Sequence, residues 1–321
     1  MKKIIILLLL ALVLTDLSFA QKRYRSRYRN QAWKKDMHKI YLGLGASNFF
    51  GDLGGANKIG STSFSLRDFD IQAVRPAIQL GYLYRFDQYW AWRTSFDYIW
   101  LSGNDKWTNE LFRTNRNLNF RTPIYGLSTS IVFLYEIKQK GHQYNLKGVK
   151  GWRSYTYTPY IQAGIGGFYF NSKGKYEGNW YELKPLSTEG EGIVSTRKKY
   201  SSVQFTIPLG IGIRVKIDQQ WEIGLEYSQW ITFTDYIDDV STTYFDPVAL
   251  EEYKGQDAVN LANPSPTALI SDPSNPGYSP LYRSTLPGQQ RGDPRDHDHF
   301  MGLFLTVYYS FNEKYVPKLR W

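Results

Sequence analysis

The sequence predicts an all-β fold, an eight-stranded antiparallel transmembrane barrel of the outer membrane. Three observations predict it. From Val203 to Ile217 every second residue is a large apolar one, alternating with Gln204, Thr206, Pro208, Gly210, Gly212, Arg214 and Lys216. That period of two, sustained beyond an ordinary globular strand, suits a strand with lipid on one face and a packed polar interior on the other. The same pattern recurs along the chain. Aromatic residues make up 17% of it, with 26 Tyr and 10 Trp, as interfacial girdles require. A mean hydropathy of −0.45 does not oppose this reading, because only alternate residues of a barrel face lipid. The competing class, a secreted Tyr-rich β-sandwich, does not account for the length of the alternations.

Met1-Lys2-Lys3, an apolar run from Ile4 to Leu14 and Ser18-Phe19-Ala20 read as a signal peptide over residues 1–20,. With no cysteine in the chain, neither a lipid anchor nor a disulfide is expected. A basic tail follows at 21–37, the barrel spans 38–311, and a C-terminal tail occupies 312–321. The first strand is expected over about His38 to Phe50, with Ile40, Leu42 and Leu44 outward and Tyr41 inward. The second runs about Arg75 to Phe86 and turns tightly at Asp87-Gln88-Tyr89 into the third, Trp90 to Leu101. The fourth runs about Phe120 to Glu136 and the fifth about Pro159 to Phe170. The sixth is the Val203–Ile217 segment, and Asp218-Gln219-Gln220 turns it into the seventh, Trp221 to Phe233. The eighth runs about His299 to Phe311, with Met301, Leu303, Leu305, Val307 and Tyr309 outward.

An even strand count is what bacterial barrels show, and a barrel of eight has an interior filled by side chains. Arg85, Arg93, Asp97, Arg214, Glu222 and Glu226 all fall on inward faces. They are expected to pair across the lumen, which argues against a wide pore. Inward glycines fit a narrow wall.

The segments at about 51–74, 102–119, 171–201 and 234–298 are long and expected outside the cell, with both termini in the periplasm. The 137–158 connection belongs on the periplasmic side yet is enlarged. Charge sharpens that asymmetry. The formal net charge is +10. Residues 21–39 carry a net +7, including Arg25, Arg27, Arg29 and Lys39. The 137–158 connection adds Lys138, Lys140, Lys147, Lys150 and Arg153 with no acid, and the C-terminal tail adds a net +2. With one acid in each short turn, the periplasmic face carries +12 and the rest of the mature chain −3. Such a face predicts an acidic partner, cell-wall polymer or anionic headgroups. Nucleic acid is excluded by compartment.

Two motifs are expected to emerge side by side, because the first and seventh strands flank the eighth. One contains Gly51, Asp52, Leu53 and Gly54; the other contains Thr234, Asp235, Tyr236, Asp238 and Asp239. Their carboxylates could bind a hard cation, but capping of loop amides is the expected role. His297 and His299 have weak spacing for zinc. No nucleophile, histidine and acid stand out as a catalytic set, so no catalytic residue, cofactor or metal is assigned. Arg291-Gly292-Asp293 carries no expectation.

Asn48-Phe49-Phe50-Gly51-Asp52-Leu53-Gly54, with Phe233 through Ser241, resembles the PorG-type outer-membrane barrels of Bacteroidota. The resemblance covers about 39–244 and the eighth strand. It implies a non-enzymatic component of the type IX secretion system that holds a periplasmic ring of PorK-type and PorN-type proteins at the outer membrane. In gliding relatives the same machine supports motility. An independent surface barrel acting through its loops is the alternative. A lipid hydrolase using Asp238 or His299, and a small channel, are further alternatives that the sequence disfavours.

Overall fold

The computed structural model describes residues 33–34, 36–53, 70–138, 156–266, 274–275 and 279–311. The expected signal peptide, most of the basic tail, the core of the enlarged connection and the C-terminal tail lie outside them. So do Arg25, Arg27, Arg29, Gly54, Lys140, Lys147, Lys150 and Arg153.

Eight long strands follow one another around a closed wall. They are β1 (His38–Phe50), β2 (Arg75–Arg85), β3 (Trp90–Asn104), β4 (Asn119–Leu134), β6 (Thr156–Phe170), β9 (Val203–Lys216), β10 (Trp221–Thr232) and β11 (His299–Ser310). Three short strands complete the count: β5 (Ile137–Lys138), β7 (Lys173–Tyr176) and β8 (Asn179–Glu182). Each long strand pairs antiparallel with the next, and β1 pairs with β11. Closure gives each long strand a hydrogen-bonded neighbour on both sides, as a wall without water requires, although the β6–β9 ladder is interrupted where Gly164 and Ile165 lie opposite Pro208 and Ile207,. Among the described residues no helix is long and apolar enough to cross a membrane; the strands make the crossing.

The alternation is realised as predicted. Leu42, Leu44, Leu80, Phe96, Leu127, Ile131, Ile211, Leu225, Leu303 and Leu305 stand exposed on the outer wall. Aromatic girdles bound this band. At the end of the tight turns, Tyr89 stacks on Phe133 and Tyr135, and Trp221 leans on Tyr309. At the end of the long loops lie Trp100, Tyr98, Tyr125 and Tyr169 in one chain of ring contacts. Trp90 and Trp100 are ten residues apart on β3. At ~3.3 Å per residue and a tilt of roughly 40° the band is about 25 Å tall, the thickness an outer-membrane barrel spans.

The strand ends differ in detail from the sequence reading. β3 runs on to Asn104, three residues past Leu101, because Ser102 to Asn104 pair with Arg121 to Asn119. β6 begins at Thr156 rather than Pro159, and Ile137–Lys138 pair with Tyr157 and Thr156, drawing in both ends of the enlarged connection. Met301 is outward by alternation yet buried. Its cross-strand neighbour Asn48 donates to the Asp70 carbonyl at 2.6 Å, so the segment entering β2 folds over the wall there.

The lumen is solid. Arg93 is 2% exposed and Glu226 fully buried. Arg93 meets the carboxylate through both terminal nitrogens, at 2.5 and 3.0 Å. It also donates to the Tyr41 hydroxyl at 2.6 Å, to Gln162 at 2.7 Å and to Gln79 at 2.6 Å. Glu226 accepts further bonds from Tyr160 and Ser228, and Gln79 passes its amide on to Asp97 at 2.8 Å. Toward the turn end Lys39 bonds Glu222 at 2.5 Å and Arg214 lies 3.6 Å from the same carboxyl. Arg85 reaches Glu136 at 3.3 Å. Toward the loop end an apolar plug of Phe49, Ile99, Ile124, Phe168, Trp230 and Phe300 takes over. The gap beside Asp97 has no room for a water molecule. Two glycines make this filling possible. A Cβ on Gly81 would sit 2.4 Å from the Tyr41 hydroxyl, and one on Gly212 would sit 2.5 Å from that of Tyr160.

Lys39 corrects the charge count. It is 3% exposed and paired inside the barrel, so it is not part of a basic surface. Without it the sequence count of the expected basic tail falls to +6 and that of the expected periplasmic segments to +11.

Removing one partner of a buried ion pair strands the other charge. Arg93→Ala is expected to lower barrel stability by about 3–5 kcal/mol, read from urea unfolding followed by the gel shift between folded and heat-unfolded forms. An Arg93→Ala barrel as stable as the parent would contradict this packing.

Candidate functional site

The long loops converge on a buried cap over the apolar plug, and the two sequence motifs form its centre. The Asp238 carboxylate accepts the backbone N–H of Leu53 at 2.9 Å and of Val240 at 3.0 Å. One bond therefore ties the segment after β1 to the segment after β10, the juxtaposition the sequence predicts. Asp239, whose φ is +65°, accepts the hydroxyls of Thr188 and Tyr200, both at 2.6 Å. The Asp52 carboxylate accepts the Asp293 N–H at 2.8 Å. Thr234 accepts the Tyr236 N–H at its hydroxyl, and its carbonyl accepts the Asp298 N–H at 3.0 Å. Tyr236 stacks on Tyr200, ring centroids 4.5 Å apart.

Ile237 and Leu53 are buried in the plug. The Ile237 carbonyl accepts the hydroxyls of Thr122 and Ser172, which join β4 and the segment beyond β6 to the cap. A large apolar side chain is thus driven inward while the flanking aspartates satisfy the turn that carries it.

Several residues that hold the cap were not singled out by sequence reasoning. Glu189 accepts the N–H groups of Ser241 and Thr242, both at 2.9 Å. Arg291 is 2% exposed, pairs with Glu189 at 2.9 Å and donates to the Asp239 carbonyl at 2.6 Å. Arg116, in the short helix α1 (Leu111–Arg116), grips Asp105 at 2.8 and 2.9 Å and donates to the carbonyls of Asp52 and Arg291. Arg291 sits in the Arg291-Gly292-Asp293 tripeptide, which carries no expectation in the sequence. Its partner lies 102 residues away, and no local spacing signals such a pairing.

The cap is rich in carboxyls that burial pushes toward their protonated form. Burial raises Asp52 to about 6 against the opposing pull of Arg116, and raises Asp239 to about 6 against Arg291. Burial and then the Asp52 charge push Asp235 up to about 9. Burial also holds Asp238 and Asp298 well above the usual carboxylate range. Asp235 stands apart from the capping role. Both its carboxylate oxygens are buried without a partner in hydrogen-bonding geometry among the described residues, although Ser241 lies close enough to moderate its shift. These carboxyls do not draw together as ligands: among the described residues no group of three or more acids or histidines is arranged to hold a metal ion. His299 accepts the Thr232 N–H at Nδ1, a structural use of the ring.

At the opposite end, Lys138 pairs with Glu136 at 3.0 Å while its side chain stays 56% exposed. Glu136 is shared with Arg85. Asp36 of the tail pairs with Lys216 at 2.6 Å. These two contacts fasten both basic segments to the rim of the wall.

The sequence matches the family described as Domain of unknown function (DUF6089) over residues 28–247. No curated protein matches it. Solved structures with a similar trace include the attachment invasion locus protein Ail of Yersinia pestis, in complex with the heparin analogue sucrose octasulfate. It shows 11% identity and a TM-score of 0.33 over 86% of this chain and 99% of that one. Neisserial surface protein A shows 8% identity and 0.31 over 85% and 97%. OprG from Pseudomonas aeruginosa shows 6% identity and 0.28 over 87% and 98%. At these scores the likenesses add nothing to what the strand pairing establishes.

Two substitutions separate the capping aspartates from the strained one. Asp238→Ala orphans two buried N–H groups and is expected to cost about 1–3 kcal/mol, whereas Asp235→Asn is expected to be neutral or stabilising at pH 8. The raised carboxyls make the folded cap bind more protons than the unfolded chain does. The cap's contribution to stability is therefore fully present below the ordinary aspartate value and is lost as pH rises toward 9,. Thermal unfolding in detergent at pH 5 and pH 9 checks the sign, and Asp235→Asn is expected to flatten the slope.

Proposed function

The chain belongs to the DUF6089 family, and from the geometry of its two ends we propose that it is a non-enzymatic outer-membrane subunit of the type IX protein secretion machinery. In this reading the long loops face outward and both termini lie in the periplasm. The basic tail and the enlarged connection hold a periplasmic ring of PorK-type and PorN-type proteins against the membrane. The resemblance of the Gly51–Gly54 and Thr234–Asp239 motifs to PorG-type barrels brings the machine into view.

The observation that carries the reading is an asymmetry. Among the described residues the lumen is filled by ion pairs and an apolar plug and the loop end is closed over itself, while in the sequence the excess positive charge falls in the segments that continue from the strand ends at the tight turns. A barrel with a shut interior and one basic end serves as an anchor better than as a conduit. Glu136 draws on Lys138, so Arg25, Arg27, Arg29, Lys140, Lys147, Lys150 and Arg153 carry most of the docking.

One observation favours a second reading, an independent surface barrel. The stretch after β10 folds into two helices, α2 (Pro247–Lys254) and α3 (Gln256–Ala262), with a small core of Leu250, Ala258 and Ala262, more structure than an inert loop needs. Shortening 247–286 would then remove function and leave any ring attachment intact.

The docking proposal is tested by reversing Lys140, Lys147, Lys150 and Arg153 to Glu and recovering the tagged barrel from native membranes in mild detergent. Ring proteins are expected to be lost while the folded gel band persists, and recovery of the parent complex is expected to fall with salt. Unchanged ring recovery from the reversed barrel would contradict it. Lys39→Glu is expected to behave differently, weakening the barrel itself, because it places two carboxylates together in the lumen.

A further inference from the structure

A second concavity lies on the outer wall, apart from the cap. It is a groove of about 640 Å³ where β3 and β4 extend past the loop-end girdle, and the β7–β8 hairpin forms its far side. Four cations line it, Arg75, Lys106, Arg121 and Lys175, against one acid, Glu177. Among the described residues none of the four reaches a carboxylate within ion-pair distance, unlike the paired cations of the lumen and cap. Two of them are pre-positioned by tryptophans. The Arg121 guanidinium lies 4.3 Å from the Trp180 ring centroid and that of Arg75 lies 5.5 Å from that of Trp107. Stacking orients a guanidinium and leaves its N–H edge free for an oxyanion. Arg75 uses one nitrogen on the carbonyls of Gln72 and Val74.

A separate observation points to a missing ligand. Ser102 lines the groove, is 5% exposed, and its hydroxyl meets no hydrogen-bond partner among the described residues. A buried hydroxyl without a partner is uncommon and costly. The groove's floor begins at Trp100, whose indole N–H donates to Tyr98 within the girdle. That girdle marks the level where acyl chains give way to headgroups.

We propose that this groove binds the phosphate-bearing sugar headgroup of an outer-leaflet glycolipid. The acyl chains descend along the wall below Trp100, the phosphate meets Arg121 and Lys175, and Ser102 donates to a ligand oxygen. The position at the headgroup level, on the side of the wall and not at the crown of the loops, selects a membrane lipid over a soluble anion. The inference is independent of the secretion reading and rests only on the long loops facing outward.

The test uses the full-length barrel in mixed micelles with diphosphorylated lipid A as the probe. Wild type is expected to bind one lipid per barrel. Arg121→Glu with Lys175→Glu is expected to weaken binding by about tenfold or more, while Lys198→Glu, an exposed lysine outside the groove, leaves it unchanged. Inorganic phosphate in large excess is expected not to displace the lipid. Should the double variant lack a folded gel band, Arg121→Gln retains the shape and is expected to weaken binding several-fold. Equal binding by wild type and the groove variants overturns the proposal, as does displacement by inorganic phosphate, which would make this a site for free anions.

Discussion

The Arg93–Glu226 pair is the contact on which the rest of this barrel depends. An eight-stranded wall leaves no space for bulk water inside, so a charge there must find its partners among the other strands. Arg93 comes from β3, Glu226 from β10, and their supporting groups come from β1, β2 and β6 through Tyr41, Gln79 and Gln162. Five of the eight strands are held in register by one guanidinium and one carboxylate. A slip of one residue in any of them would exchange lipid-facing for lumen-facing side chains and strand both charges. The same demand explains Gly81 and Gly212, which clear the space that Tyr41 and Tyr160 occupy.

The cap obeys the same rule with different groups. Glu189 and Arg291 form its buried ion pair, and Asp238 and Asp239 spend their oxygens on backbone and hydroxyl donors. Asp235 has no donor in hydrogen-bonding geometry among the described residues, and burial pushes its carboxyl up to about 9. Among the described residues, lumen and cap together fill the barrel from the turn end to the segments folded over the plug at the loop end. What remains available among the described residues is the outside: a lipid-facing band and the cationic groove beside β3. The anchoring role proposed above draws on what the closed interior leaves free.

The strands were legible in the sequence because a wall between lipid and a polar interior imposes a period of two on both faces. Ile40, Leu42, Leu44 and the Trp90–Trp100 series read directly. The inward charges of β2, β3, β9 and β10 were legible for the same reason. Lys39 was not, although it shares the inward parity of Tyr41: its position beside a run of basic residues made it look like surface charge, and only Glu222, 183 residues on, shows otherwise. The meeting of the Gly51 and Asp238 segments could be deduced from strand order alone. Glu189, Arg116 and Arg291 could not, because loop residues have no periodicity and their pairing is set by three-dimensional closure. Met301 was misplaced because alternation says which face a residue takes and nothing about what later folds over it.

Planar-bilayer conductance tests the closed lumen most directly. The wild-type barrel is expected to be electrically silent, with ion-conducting events once Arg93 and Glu226 are both replaced by alanine in a barrel that still folds, since that removes the central layer of the plug and weakens what lies above it. Steady conductance from the wild-type barrel would contradict a lumen sealed by its own charges.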